Sequence, residues 1–415
     1  MSYFETKQGT LFAEDVSLER IGEEFGTPAY VYSKAAIEAA YNKFTEAFSG
    51  QAHLCCYAVK ANSNLGVLSI LAKLGAGFDI VSGGELERVI RAGAPTNKVV
   101  FSGVAKADWE IKKALEVGIA CFNIESEAEL IQINQIATEM KIDAPVSIRV
   151  NPDVDAKTHP YISTGLKQNK FGVSRDRAML MYTEANDMPY IKIMGIDCHI
   201  GSQITELEPF IEALHRIIEI VDTLATMHIT LSHIDLGGGI GVRYQDETTI
   251  DIEEYAGAIQ QSMGHRKHTL FFEPGRYIVA NAGILLSRVV HLKENEGTHF
   301  AILDTGMNDL IRPALYQSWQ GVTVVKTTST SKVSYNLVGP ICESGDFIAH
   351  DRTLCVNAGD YIAIHSAGAY GFAMSSNYNS RNRAAELIVS DETVQCVRKR
   401  ESIEDQLNLE TIYKD

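Results

Sequence analysis

A chain of 415 residues exceeds what one ordinary hydrophobic core holds, so two domains are expected, one of them large. Its 45% hydrophobic and 22% charged residues are those of a water-soluble globular protein. The 37 basic and 53 acidic residues leave a net charge of -16, which argues against nucleic acid or an anionic membrane as partner and requires that any anionic ligand meet locally placed basic groups.

The N-terminal run MSYFETKQGTLFAED has no basic stretch followed by an apolar one, and no later run approaches eighteen uninterrupted apolar residues. A cytoplasmic protein that does not span a membrane is expected. The seven cysteines are odd in number and lack CxxC spacing, so neither a disulfide framework nor a metal site is expected. They read as reduced, mostly buried thiols, with Cys342 set apart as a candidate reactive group.

The first thirty or so residues contain two extended candidates, TLFAED and TPAYVYS. From residue 53 to 276 one theme recurs eight times: a short apolar or β-branched run, then small or polar residues, then helical spacing. The runs are HLCCYAVK, FDIVS, VVFSG, CFNIES, VSIRVNP, IMGIDCHIGS, HIDLGGG and TLFFEPGR. Helical stretches such as GELERVIRAG, DWEIKKALEVG and EPFIEALHRIIEIVDTLATM separate them, so the connections are crossovers between parallel strands. Eight such units make a (β/α)8 barrel of the TIM type, whose chemistry sits at the carboxyl ends of the strands. After Arg276 the texture changes to short alternating runs, GILLSRVVHL, HFAILDTG, SYNLVGPICESGD and DYIAIHSAGAYG, which read as a C-terminal antiparallel β-barrel or sandwich domain.

The strand ends carry the candidate chemistry. Lys60 closes the first run, where an inward amine among apolar neighbours could form a Schiff base, although a lone lysine after a strand is ordinarily a solvated charge. DLGGGIG ends the seventh run, and consecutive glycines let backbone N–H groups approach a phosphate; the bland alternative is a flexible tight turn. It does not fit the GxGxxG dinucleotide pattern. EPGR, residues 273–276, sets an acid, a rigid turn, a glycine and an arginine together: Glu273 can pair with a pyridine nitrogen, while Gly275 and Arg276 can face an anion. His199 and Ser202, in CHIGSQ, suit a cofactor ring and its phosphate, against the reading of a hydrogen-bonded core histidine. CESGD, residues 342–346, places the Cys342 thiol beside two acids, where it could donate a proton.

YAVKAN, HIGSQ, DLGGG, EPGR, GPICESGD and GAYGFAMSSNYNSR stand in the order found in fold type III pyridoxal-phosphate decarboxylases, and the resemblance runs from about residue 27 to 386. Within that superfamily RVNPDVDAKTHPYISTGLKQNKFG, residues 149–172, resembles the diaminopimelate decarboxylases, and Glu343 stands where the ornithine enzymes typically carry Asp. The resemblance implies an alanine-racemase-like barrel over residues 34–276, with residues 1–33 and 277–415 forming the β domain. It implies decarboxylation of meso-diaminopimelate to L-lysine, the last step of lysine biosynthesis, with pyridoxal 5'-phosphate as cofactor, in a homodimer with shared active sites. Lys60 would carry the cofactor, His199 would stack on its ring, and Glu273 would face its nitrogen. Ser202, Gly238, Gly239, Pro274, Gly275, Arg276 and Tyr370 would surround the phosphate or nearby substrate. Arg276, Arg312 and Tyr316 would hold the distal carboxylate, Glu343 the amino group, and Cys342 would donate the proton. SRNRAAE departs from the pattern, with Asn382 and Ala384 where prolines are usual. A decarboxylase of another basic amino acid or polyamine precursor, a racemase, and a non-catalytic partner-binding relative are the competing readings.

Overall fold

Each of the eight runs between residues 53 and 276 forms a strand in the computed structural model, which describes residues 3–155, 170–327 and 331–414. They are β1 His53–Ala58, β2 Gly77–Ile80, β3 Val99–Phe101, β4 Cys121–Ile124, β5 Ala144–Arg149, β6 Ile191–Asp197, β7 His233–Asp235 and β8 Thr269–Phe272. Neighbours pair in parallel, and β8 returns to β1 with Phe271 opposite Leu54, so the sheet closes. Most of these strand residues are buried on both faces, which is why the runs read as continuous rather than alternating apolar segments.

Helices Gly83–Arg91, Asp108–Val117 and Glu208–Thr226 occupy the crossovers where helical spacing was read. Serine caps set two starts, with Ser82 Oγ accepting from the Glu85 N–H and Ser126 Oγ from that of Glu129, both at 3.2 Å. A cluster of Phe44, Phe48, Tyr255 and Phe272 packs in this unit, the Phe48 and Phe272 rings 4.3 Å apart. The middle of the 149–172 stretch lies outside the described residues.

The chain separates into two compact units, residues 38–243 with 247–278, and residues 1–37 with 244–246 and 279–415. In the second, a nine-stranded sheet is found among the described residues, together with a small antiparallel sheet of Phe4–Lys7, Thr10–Ala13 and Val16–Ser17. The large sheet is mixed, which corrects the antiparallel expectation. Thr298–Leu303 runs parallel to Val333–Val338, and Ala29–Ser33 parallel to Ala385–Ser390. Both parallel pairs join segments separated by long stretches of chain, and parallel neighbours need a crossover that a tight hairpin cannot provide. Alternation along a strand reports which faces are buried, not the direction of the neighbour.

His233 opens β7, its ring stacked on Phe271 at 4.2 Å and pressed against Gly195, where a Cβ would collide with it. Its Nε2 is buried without a hydrogen-bond partner. Burial, then His268, pushes the imidazole down to about 4. The folded value lies below the unfolded one of about 6.5, so the stabilisation is complete above about 6.5 and drains as pH falls towards 4, by up to about 3 kcal/mol. His233→Phe keeps a flat ring without the proton. Its melting temperature should fall less than that of the parent chain between about pH 7 and pH 4.5; equal slopes would contradict this origin of acid sensitivity.

Candidate active site

Strand β1 ends at Ala58, which lies opposite Asp79 of β2, and a 3-10 turn, Val59–Ala61, then presents Lys60. Lys60 Nζ lies 2.6 Å from Asp79 Oδ2. The sequence reading expected an amine among apolar neighbours; the fold supplies a fully buried acid instead, because an inward position on β2 comes level with the end of β1.

Glu273 follows β8, and its N–H donates to the Gly237 carbonyl at 2.7 Å, tying the eighth strand end to the turn after the seventh. Its Oε1 accepts from Ser102 Oγ at 3.4 Å and Asn123 Nδ2 at 3.3 Å, and Asn123 also donates to Ser102 at 3.2 Å. Burial raises the Glu273 carboxyl well above the usual range, and Asp79 and Asp235 add to the rise. Carboxylate oxygens of Asp197, Asp235 and Glu273 lie within 4.8 Å of one another. Nearby, Arg149 Nη1 is 3.0 Å from Glu125 Oε1 and its Nε 3.7 Å from Asp197 Oδ2.

Asp235 Oδ1 accepts from the Gly237 N–H at 2.8 Å, which shapes the glycine turn. Gly237 and Gly239 take φ of 64° and 107°, the left-handed region that side chains avoid. A Cβ on Gly238 would strike the Glu273 carbonyl, and one on Gly239 the Gly201 carbonyl. The Gly238 N–H donates to His199 Nδ1 at 3.2 Å. Burial, then Arg149 and Lys60, lowers the His199 pKa well below its ordinary value, so the imidazole is neutral. The Pro274 carbonyl accepts from the Ala58 N–H at 3.2 Å, and Gly275 packs on Ala58 and Ala61 so closely that a Cβ would press on both. Arg276, buried, opens the short helix Arg276–Val279 and donates to Ser202 Oγ at 3.0 Å.

These residues fit pyridoxal phosphate on chemistry alone. One mouth holds an amine, a buried carboxylate served only by neutral donors, and a backbone cradle that any Cβ would fill, with a guanidinium and a hydroxyl at its side.

The remaining expected residues belong to the second unit. Arg312, buried at the start of Arg312–Tyr316, stacks its guanidinium over the Tyr316 ring at 5.6 Å and the Tyr244 ring at 5.1 Å. Cys342 and Glu343 are exposed; the Cys342 N–H donates to Asn379 Oδ1 at 2.8 Å, and Tyr378 donates its hydroxyl to Glu343 Oε2 at 3.3 Å. Asp346, the other acid of CESGD, is structural: its two oxygens accept the N–H groups of Met307 at 2.6 Å and Ile341 at 2.8 Å. Tyr370 has a positive φ of 55°. Asn382, in place of the usual proline, accepts from Gln406 Nε2 at 2.5 Å, and Ala384 is buried.

Asp79, Asn123, Asp197 and Asp235 were absent from the expected set although each lies inside a quoted run. The available signal was a polar residue within an apolar strand, which must find partners once buried.

Residues 34–280 match the family described as pyridoxal-dependent decarboxylase, pyridoxal binding domain. The chain is 56% identical to the diaminopimelate decarboxylase of Pseudomonas aeruginosa over 98% of each chain. With that of Haemophilus influenzae it shares 54%, over 99% of this chain and 100% of the relative. Among solved structures it is similar to diaminopimelate decarboxylase from Helicobacter pylori complexed with L-lysine, with a TM-score of 0.92 and 44% identity, over 94% of this chain and 98% of that one. The M. jannaschii enzyme in co-complex with L-lysine gives 0.94 and 39%, over 99% and 98%. A strand-by-strand barrel, a mouth suited to pyridoxal phosphate and near full-length identity converge: the chain belongs to the diaminopimelate decarboxylases, within the pyridoxal-dependent decarboxylase family.

Proposed function

We propose that this chain converts meso-diaminopimelate to L-lysine and carbon dioxide with pyridoxal 5'-phosphate as cofactor, as the last step of lysine biosynthesis. The observation that carries the reading is the barrel mouth, with Lys60, Glu273 and the glycine turn on three different strand ends, in a chain so similar to diaminopimelate decarboxylases. Residues 34–276 are taken as the cofactor-binding barrel domain, and residues 1–33 with 277–415 as the β domain.

When bound, pyridoxal phosphate supplies an electron sink for the pair left on the α-carbon as carbon dioxide departs. Lys60 is assigned to hold the cofactor's aldehyde carbon, and Asp79 receives the lysine ammonium whenever that amine is free. Glu273, oriented by Ser102 and Asn123, is the counter-ion for a protonated ring nitrogen. Neutral His199, fixed through Nδ1 by the Gly238 N–H, offers its flat face to the ring. Gly238 and Gly239, with Ser202, Pro274–Arg276 and Tyr370, are assigned to the phosphate and its surroundings. Arg276, Arg312 and Tyr316 are assigned to the distal carboxylate, with Arg312 held by its two aromatic neighbours. Glu343 would take the substrate's amino group and Cys342 would place a proton on the α-carbon.

A cytoplasmic location accords with seven free cysteines, and no described helix is long and apolar enough to cross a membrane. A homodimer with shared sites is also proposed, in which Cys342 and Glu343 serve the second copy. The exposure of both residues on their own chain supports this.

Three measurements test these assignments. Purified protein with pyridoxal phosphate and meso-diaminopimelate should yield lysine and carbon dioxide in equal amounts, and should be inactive on amino acids without a distal carboxylate; cofactor binding without either product would refute the function. Glu273→Gln should bind cofactor yet lose about 100-fold in kcat, since a neutral amide cannot pair with a ring cation. Lys60→Ala and Cys342→Ala, each inactive, should recover roughly a quarter of wild-type activity after subunit exchange, because about half the dimers are then mixed and each carries one intact site. Activity that stays at the level of the single variants after verified exchange would place Cys342 in the site of its own chain.

A further inference from the structure

The barrel mouth holds more buried acid than buried base. Asp79 is served by Lys60 at 2.6 Å, and Glu125 and Asp197 share Arg149 at 3.0 and 3.7 Å. Asp235 and Glu273 have neutral donors: the Gly237 N–H on Asp235 Oδ1, and Ser102 and Asn123 on Glu273 Oε1. Asp235 is fully buried, and its Oδ2 receives no N–H or hydroxyl donor. That oxygen belongs to a carboxyl that offers an atom within 4.8 Å of Glu273 and Asp197. Two adjacent carboxylates without a cation between them cannot both stay ionised in a site closed to water.

We infer that Asp235 is a positioning residue that holds a proton against Glu273: the two carboxyls share one proton in the protein without cofactor, and with cofactor bound that proton rests on Asp235.

Charge balance gives the second half of the statement. A protonated ring nitrogen makes Glu273 an anion and leaves Asp235 as an acid without an ion pair of its own among the described residues. A neutral Asp235 can then donate its O–H to Glu273, which adds a third donor to those of Ser102 and Asn123. Burial pushes Asp235 up to about 7 in the cofactor-free protein, opposed by the Gly237 N–H, raised further by Asp79, and opposed again by a hydrogen bond with the Glu273 carboxyl and by Arg149. The other titratable groups facing the pair are Asp197, Lys60 and the buried thiols of Cys56, Cys121 and Cys198, whose ionisation is suppressed by burial. Arg149 is the cation that acts on Asp235, and it is taken up by Glu125 at 3.0 Å and Asp197 at 3.7 Å, so a proton is left to neutralise Asp235.

The inference rests on the cofactor assignment for its second half only, and infrared spectroscopy with isotope-labelled aspartate or glutamate separates the halves. Without cofactor at neutral pH, the protein should show the carbonyl stretch of a protonated carboxyl, and that band should lose intensity in both Asp235→Asn and Glu273→Gln. With cofactor bound, the part of the band that Asp235→Asn removes should shift with labelled aspartate and not with labelled glutamate. The label needs no substitution, so a variant that misfolds leaves the measurement intact. A cofactor-free protein whose protonated-carboxyl band is unchanged in both variants overturns the proposal, as does a loaded protein in which the part of the band removed by Asp235→Asn follows the glutamate label. If cofactor absorbance shows no binding while the shared-proton band is present, it is the cofactor assignment that fails, not the carboxyl pair.

Discussion

Closing eight parallel strands into a barrel brings eight carboxyl-terminal ends to one mouth, and every polar side chain pointing inward there loses water together with its neighbours. Lys60, Asp79, Asn123, Arg149, Asp197, Asp235 and Glu273 come from seven different strands or the turns that follow them. An open sheet of the same order would bring together only residues on adjacent strands, as Asp79 with Lys60 or Asp197 with Arg149, whereas closure turns all of them towards one mouth. Their partnerships follow from this crowding: each buried charge must find an opposite charge, a neutral donor or a proton.

Glycines decide how tightly the mouth is drawn. The turn after β7 lies against the backbone of Glu273 and Gly201 because Gly238 and Gly239 have no Cβ, and Gly275 does the same against Ala58 and Ala61. The backbone is thereby open to close approach by an anion, and a net charge of -16 is no obstacle when the attraction is local. Arg276 adds its charge beside Ser202 at the same place.

In the second unit the organising contact is Asp346. By accepting the N–H groups of Met307 and Ile341 it pins the start of the CESGD loop to the segment after Thr298–Leu303, and Gly306 and Gly339 leave room for its carboxylate. Asn379 then takes the Cys342 N–H. Two residues of one short motif therefore have opposite fates, Asp346 turned inwards as a bracket and Glu343 left outside near Tyr378.

The amino-acid sequence by itself determined the periodicities: eight short apolar runs alternating with helical spacing admit a parallel barrel, and the Gly, Pro and charged residues at their ends mark which end of it does chemistry. Lys60, His199, the glycine turn and EPGR were legible for that reason, since they break the apolar pattern where strands stop. Only the tertiary structure decided which inward positions share a level. Asp79 meets Lys60 because β1 and β2 pair with Ala58 opposite Asp79, and Asp235 approaches Glu273 because β7 and β8 are adjacent with Asp235 opposite Phe271. Strand register and barrel closure are set by side chains far apart in the chain, so an acid inside FDIVS or HIDLGGG looks like any strand residue until its neighbour arrives. The mixed pairing of the large sheet was hidden for a related reason: alternation records burial of a face, whereas the direction of a neighbouring strand is settled by the path of the chain between them.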